Sequence, residues 1–196
     1  MTLWLVRHGP THARQFVGWT DVPADLSDTA ALARLEAALP QAPVVSSDLM
    51  RAVTTADAIA ARRRRLPHSA DLRETHFGVW ENKTWAEVQA LDPDLPRAYF
   101  ETPGDIAPPQ GESWNRLCAR TFAAADALLA SHGEVVIVAH MGVIMSFIQR
   151  ARACSAYEAF AQTIDPLSLT VIDTNGAQGA GRDLGRWQLR AVNQTL

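Results

Sequence analysis

The chain has 196 residues, 47% of them hydrophobic and 20% charged, with a formal net charge of -3. That length and composition suit one soluble globular domain with a sizeable core, and the balance of charge excludes a bulk basic field for nucleic acid. Two cysteines without CxxC spacing, Cys118 and Cys154, argue against a disulfide framework or thiolate metal site and fit a reducing compartment.

Thr2 to Val6 is a short apolar run ended by Arg-His-Gly-Pro and reads as a buried strand with charged residues at its end. Gly18 to Pro23 is turn-rich. Ser27 or Asp28 caps a helix over Thr29 to Leu39, which Pro40 to Pro43 breaks. Val44 to Ser47 is a second strand, and Asp48 is expected to cap a helix running to about Arg62. The basic run Arg62 to Arg65 reads as a solvated helix end, where cations suit the helix dipole.

His68 to Leu72 is expected as strand and turn, and Thr84 to Leu91 as helix. Asp92 to Gly111, rich in proline and poor in periodic apolar residues, reads as an irregular surface excursion that could act as a lid. Ser113 begins a long helix to about Ser131, closed by His132-Gly133. Glu134 to Ala139 is the clearest buried strand. Val143 to Arg152 follows as helix, Ser168 to Asp173 as strand, Asn175 to Gly185 as a glycine-rich hairpin turn, and Arg186 to Val192 as a last strand. Alternating strands and helices predict a three-layer α/β domain with a largely parallel sheet, whose ligands bind at the carboxyl ends of strands. The N-terminus carries no signal-peptide pattern and no run approaches transmembrane length, so the expected location is cytoplasmic, away from membranes.

Three of the strands end in chemistry: Arg7-His8 after the first, Arg51 one turn into the helix after the second, and His140 after Val138-Ala139. Each alone reads equally well as structural. If the strands are neighbours, two histidines and two arginines meet at one rim. Guanidinium groups bind the oxygens of a phosphoryl group bidentately, and a neutral imidazole is a capable nucleophile toward phosphorus. Phosphoryl transfer is mostly positioning and electrostatic stabilisation, so the set can act without Mg²⁺. The leaving oxygen still needs a proton, and Glu74 and Glu81 flank a glycine turn that could supply it.

The chain resembles the histidine phosphatase superfamily, also called the phosphoglycerate mutase-like family. The matching stretches are Leu5 to Thr11, Gly18 to Pro23 with Leu26-Ser27, Ser46 to Ala52 with Thr54 to Ala56, Leu72 to Glu81, Gly111-Glu112-Ser113 and Val138 to Ile144, in family order. The resemblance implies a mixed, mostly parallel three-layer fold over residues 1–196 as a single domain, with a capping excursion at about 73–112. It implies His8 as the nucleophile that becomes phosphohistidine, Arg7 and Arg51 as phosphoryl ligands, His140 as the completion of the phosphate pocket and Glu74 as proton donor, with no metal or other cofactor. The expected partner is a small phosphorylated metabolite.

Departures from the family pattern fall around this core. Pro10 follows Arg-His-Gly where Glu or Gln is usual, and Arg14 aligns with a phosphate-contacting Asn, which makes Arg14 a candidate charged contact. Met141, where Gly is often found, and Thr11 are further candidate substrate contacts. Glu81 and Glu112 read as supporting residues, and Trp80, Trp85, Trp114 and Tyr99 as core before substrate wall. The branch suggested is that of small-molecule phosphatases, which includes α-ribazole phosphatases, with sugar phosphates and other small esters equally open. Phosphoglycerate mutase-type transfer and a non-catalytic phosphate-binding module are the alternatives. A mutase generally needs a longer, more enclosing chain, and a binding module typically loses one of the five central residues.

Overall fold

The structure, a computed structural model, describes residues 1–174 and 187–196. Strands β1 (Thr2–Arg7), β2 (Val44–Ser46), β3 (Glu134–Ala139), β4 (Leu169–Thr174) and β5 (Trp187–Gln194) form one sheet in the order β2-β3-β1-β4-β5. β1 and β2 each pair parallel with β3, whereas β4 runs antiparallel to both β1 and β5. The sheet is therefore mixed, with β4 alone reversed.

Alternation along the strands builds the layers. Leu3 and Leu5 of β1, Val45 of β2, and Val135, Ile137 and Ala139 of β3 pack on one face with helices α5 (Trp114–His132) and α6 (Met141–Arg152). Val6, Val44, Val136 and Val138 pack on the other face with α1 (Thr29–Ala38) and α2 (Met50–Ala60). A strand buried on both faces must read as a continuous apolar run, as Glu134–Ala139 does. The result is the α/β three-layer arrangement expected, and it sets the carboxyl ends of β1, β2 and β3 side by side.

Local signals explain most element ends. Asp28 caps α1 by accepting from the Ala31 amide at 2.9 Å. Ser113 caps α5, and Gly133, at φ 70°, closes it. Thr84 forms a capping box with Glu87 at the start of α3 (Trp85–Leu91).

Several expectations fail for identifiable reasons. Asp48 does not cap α2; it forms a bidentate ion pair with Arg73 at 2.7 and 2.6 Å, and Asp21 accepts from the Met50 amide instead. His68 to Leu72 is not a strand; Arg65 and Ser69 make isolated bridges to Val44 and Ser47, and Ala70–Leu72 is a 3₁₀ turn. The excursion holds a short helix, α4 (Leu95–Glu101), which Pro96 starts rather than breaks. Outside the excursion, a further short helix, α7 (Ala156–Phe160), rises on a Ser155–Glu158 capping box. The expected turn at Asn175 to Gly185 lies outside the described residues.

The basic run is also not a solvated helix end. α2 stops at Ala60, and Arg63 is buried. Its guanidinium donates to the carbonyls of Glu36, Leu39 and Pro40 at 2.6–2.9 Å and pairs with the Glu36 carboxylate at 3.0 Å, closing the end of α1. Arg63→Ala would strand these acceptors. It should lower unfolding free energy by about 2–4 kcal/mol in urea denaturation. A loss under about 0.5 kcal/mol, the range of an ordinary surface change, would contradict this account.

Candidate active site

His8, Arg7, Arg51, Glu74, Thr11 and Met141 line one cavity of about 310 Å³ at the carboxyl ends of the parallel strands. His140 is not among the lining residues; it is fully buried, with its ring 5.0 Å from that of His8. The backbone explains the convergence. The His8 amide donates to the Ala139 carbonyl at 3.0 Å and the Ser47 amide to the Val138 carbonyl at 3.0 Å, so the β1 and β2 ends are tied to β3. The Gly9 amide donates to the Thr55 hydroxyl at 3.0 Å, and that hydroxyl donates to the Arg51 carbonyl at 2.7 Å, which locks the two loops together.

The two imidazoles are held neutral. Burial lowers the His8 pKa to about 3, and the charges of Arg51 and Arg7 push the same way, against a hydrogen bond to Gly9. His8 Nδ1 lies 2.7 Å from the Gly9 carbonyl. A carbonyl can only accept, so Nδ1 carries the proton and the Nε2 lone pair is free. Burial likewise drives His140 well below its ordinary pKa, followed by the influence of His8 and the nearby arginines. Neither ring nitrogen of His140 has a hydrogen-bond partner. A buried imidazole left unpaired in this way can donate to an anion entering the cavity.

Both guanidinium groups are anchored on backbone carbonyls. Arg51 is 1% exposed and donates to the carbonyls of Thr20 and Gly18 at 2.9 and 2.6 Å. Arg7 donates to the Ile164 carbonyl and leaves Nε without a partner. Burial lowers both arginine pKa values, and the Glu74 charge is the strongest opposing influence on each. Glu74 accepts from the amides of Thr75 at 2.9 Å and Gly142 at 3.1 Å. The Gly142 contact exists because α6 starts at Met141, two residues earlier than expected, which points its first amides at the carboxylate.

Three supporting side chains carry more than their sequence context suggests. Glu81 accepts from the amides of Gly18, Trp19, Thr20 and Phe77 and from the Thr20 hydroxyl, at 2.6–3.1 Å. Burial would raise its pKa, but these bonds outweigh it and hold the pKa below the ordinary value. Glu81 thus shapes the loop whose carbonyls hold Arg51. Gly18 is required there, because a Cβ would sit 2.0 Å from the Thr75 carbonyl oxygen. Arg120 pairs with Glu112 at 2.7 Å on two nitrogens and donates to the carbonyls of Asp71, Arg73 and Glu74 at 2.7–2.9 Å, fixing the segment that presents Glu74. Arg120 sits mid-helix with no motif around it, so no local signal marks it. Glu112, in Gly-Glu-Ser, was legible as support.

The outer shell differs from expectation. Arg14 is exposed and is not among the residues that line the cavity, whereas Gln15 and Ala13 are. His12 is exposed and pairs with Asp25 at 2.9 Å. Trp80 is core as expected and Trp85 is exposed, while Tyr99 and Trp114 are both buried and wall-forming. Among the described residues, no cluster of three or more His, Cys, Asp or Glu side chains is placed to hold a metal ion.

The model of the histidine phosphatase superfamily (branch 1) matches residues 3–194. The chain belongs to this superfamily. A relative from Mycobacterium tuberculosis, named a bifunctional protein, is 31% identical across 98% of this chain and 54% of its own length. The chain thus spans about half of the first curated relatives it matches. A glucosyl-3-phosphoglycerate phosphatase of Mycolicibacterium vanbaalenii is 34% identical, covering 72% of this chain and 70% of the relative. Among solved structures, YhfR of Bacillus stearothermophilus superimposes with a TM-score of 0.85 at 26% identity, covering 98% of this chain and 96% of the other. The fold is that of phosphoglycerate mutase-like histidine phosphatases, and phosphatases are among its named relatives.

Two outcomes test this geometry. A Cβ at position 142 would meet Glu74 Oε1 at 2.4 Å, so Gly142→Ala should displace the carboxylate and lower kcat about tenfold or more, with little change in melting temperature. Unchanged kcat on a phosphate ester would show that Glu74 is not held by this contact. The second outcome concerns pH. Between the ordinary His value of 6.5 and the His8 value of about 3, the unfolded chain binds protons that the folded site refuses. Stability should therefore fall as pH drops from 6.5 toward 3, through His8 and His140 together. His8→Asn should flatten that slope in denaturation midpoints compared at two pH values, and an identical slope would refute the assignment.

Proposed function

We propose that the chain is a metal-independent phosphatase that hydrolyses small phosphomonoesters through a phosphohistidine on His8. The observation that carries this reading is the neutral, buried His8 with Nδ1 occupied by the Gly9 carbonyl, which leaves Nε2 free between two guanidinium groups. In this reading the chain is a single domain, and the segment at about 73–112 caps the site, contributing Glu74, Phe77 and Phe100 to the wall.

The phosphoryl oxygens of the ester bind Arg7 and Arg51, and His140 donates its N–H to one of them. Nε2 of His8 attacks phosphorus, forming the P–N bond as the ester P–O bond breaks. Glu74, entering protonated, gives its proton to the leaving oxygen, so the alcohol departs neutral. Water then attacks phosphorus as Glu74 takes its proton, the P–N bond breaks, and inorganic phosphate leaves. The arginines carry the positive charge that a metal ion supplies in other phosphoryl-transfer sites.

Phosphate release from p-nitrophenyl phosphate tests the reading. His8→Ala should lower kcat at least a thousandfold, on the order expected for loss of a nucleophile, and EDTA should leave the rate unchanged. A rapid-quench experiment should trap an acid-labile phosphoprotein in the wild type only. Wild-type turnover in His8→Ala would overturn the proposal.

A further inference from the structure

Beyond Glu74 lies a second cavity of about 280 Å³, which shares Glu74, Phe77, Phe100 and Met141 with the first. The two cavities therefore adjoin along a wall that includes Glu74. One side of Glu74 faces the histidines and arginines. The other faces a chamber walled by Tyr99, Trp114, Met145 and Phe160. We propose that this chamber is the subsite for the leaving alcohol and that it selects uncharged aromatic alcohols over sugars and carboxylate-bearing alcohols. The proposal rests on the phosphatase reading above, because only a departing alcohol has reason to sit across Glu74 from the phosphoryl group.

Three observations support it. The first is position. The group that protonates the leaving oxygen must lie beside that oxygen, so whatever the oxygen is attached to extends from Glu74 away from His8. The chamber is the space found there.

The second is wall chemistry. No Lys, Arg or His lines the chamber, and Glu74 is its one charged residue. A carboxylate on the alcohol would be buried in the chamber with no cation to balance it. Two of the polar side chains that line it are already engaged, which leaves the Thr75 and Tyr99 hydroxyls. Gln162 accepts from Arg152 at 3.1 Å and donates to the Thr163 carbonyl at 3.0 Å, and the Trp114 indole N–H donates away to Gln149 at 2.6 Å. Beyond those two hydroxyls a sugar would find little to replace the water its own hydroxyls lose, whereas a flat ring would lose only the water that apolar surface sheds favourably.

The third is rigidity. Trp114 and Phe160 meet edge to face at 4.6 Å between centroids, and Tyr99 and Phe100 at 4.8 Å. Trp114 and Tyr99 are each 2% exposed. Aromatic side chains wedged in this way form a preformed slot, and a preformed slot binds a flat ring without first having to be ordered.

The test is a kinetic comparison within matched pairs. Phenyl and 2-naphthyl phosphate release alcohols of similar acidity, so their kcat/KM ratio reads the chamber rather than the chemistry. The naphthyl ester should be favoured about tenfold, the scale expected for burying the second ring. Benzyl phosphate should likewise exceed glucose 6-phosphate and 3-phosphoglycerate by at least tenfold. Phe160→Arg should reduce the naphthyl preference toward one and raise the relative rate on 3-phosphoglycerate. In the unaltered protein, naphthylmethylphosphonate should inhibit p-nitrophenyl phosphate hydrolysis about tenfold more tightly than methylphosphonate, which gives a readout independent of any variant's folding. Preference for 3-phosphoglycerate or glucose 6-phosphate, or equal inhibition by the two phosphonates, would overturn this assignment while leaving the phosphatase reading intact. Absence of turnover on every ester would overturn the phosphatase reading itself.

Discussion

Two guanidinium groups and two imidazoles share a small, largely buried space at the carboxyl ends of the parallel strands, and the surrounding structure makes that arrangement tolerable. Burial disfavours charge on each group, and the four would repel one another if all were protonated. The histidines respond by staying neutral. The arginines stay charged because their far ends are anchored on backbone carbonyls and because Glu74 stands near both. What is left is net positive charge with unpaired donors at Arg7 and His140. An oxyanion is the natural complement of that deficit.

The anchors are themselves anchored. Arg51 is held by the loop at Gly18 and Thr20, and that loop is shaped by the Glu81 carboxylate. Glu74 is held by α6 at one side and by the backbone that Arg120 and Glu112 grip at the other. Trp19 adds a further tie: its indole N–H donates to the Glu74 carbonyl at 2.8 Å, and the Arg73 guanidinium stacks on its ring. Three acidic residues from two separate motif stretches thus divide the labour. Glu74 faces the cavity, Glu81 binds amides, and Glu112 binds an arginine. Their carboxylates are chemically alike, and only the partners that packing supplies distinguish them.

The same packing divides the space around Glu74. On one side are the charged groups of the strand rim. On the other are aromatic side chains contributed by the excursion, α5 and α7. α4 and α7 bring Tyr99, Phe100 and Phe160 together, and α4 lies in a stretch whose sequence reads as irregular. The region that differs most from expectation is therefore also the one that shapes the wall beyond the carboxylate.

The sequence by itself determined the layered fold and the inner site. Apolar runs ending in Arg7-His8 and His140 are local facts, and a strand buried on both faces can hardly be written otherwise. Strong caps at Asp28, Thr84 and Ser113 mark helix ends because the signal and the structure involve residues three apart. Tertiary structure decided what depends on distant partners. Asp48 is a cap by sequence, but Arg73 lies within reach and a bidentate ion pair wins. Arg63 belongs to a basic run by sequence, but the open end of α1 captures it. Arg14 aligns with a phosphate contact, yet the loop turns Gln15 to the wall. The strand order that places β2, β3 and β1 side by side, and the early start of α6 that holds Glu74, involve residues far apart in the chain. Their contacts have no local signature, because the competing partners meet only once the layers have packed.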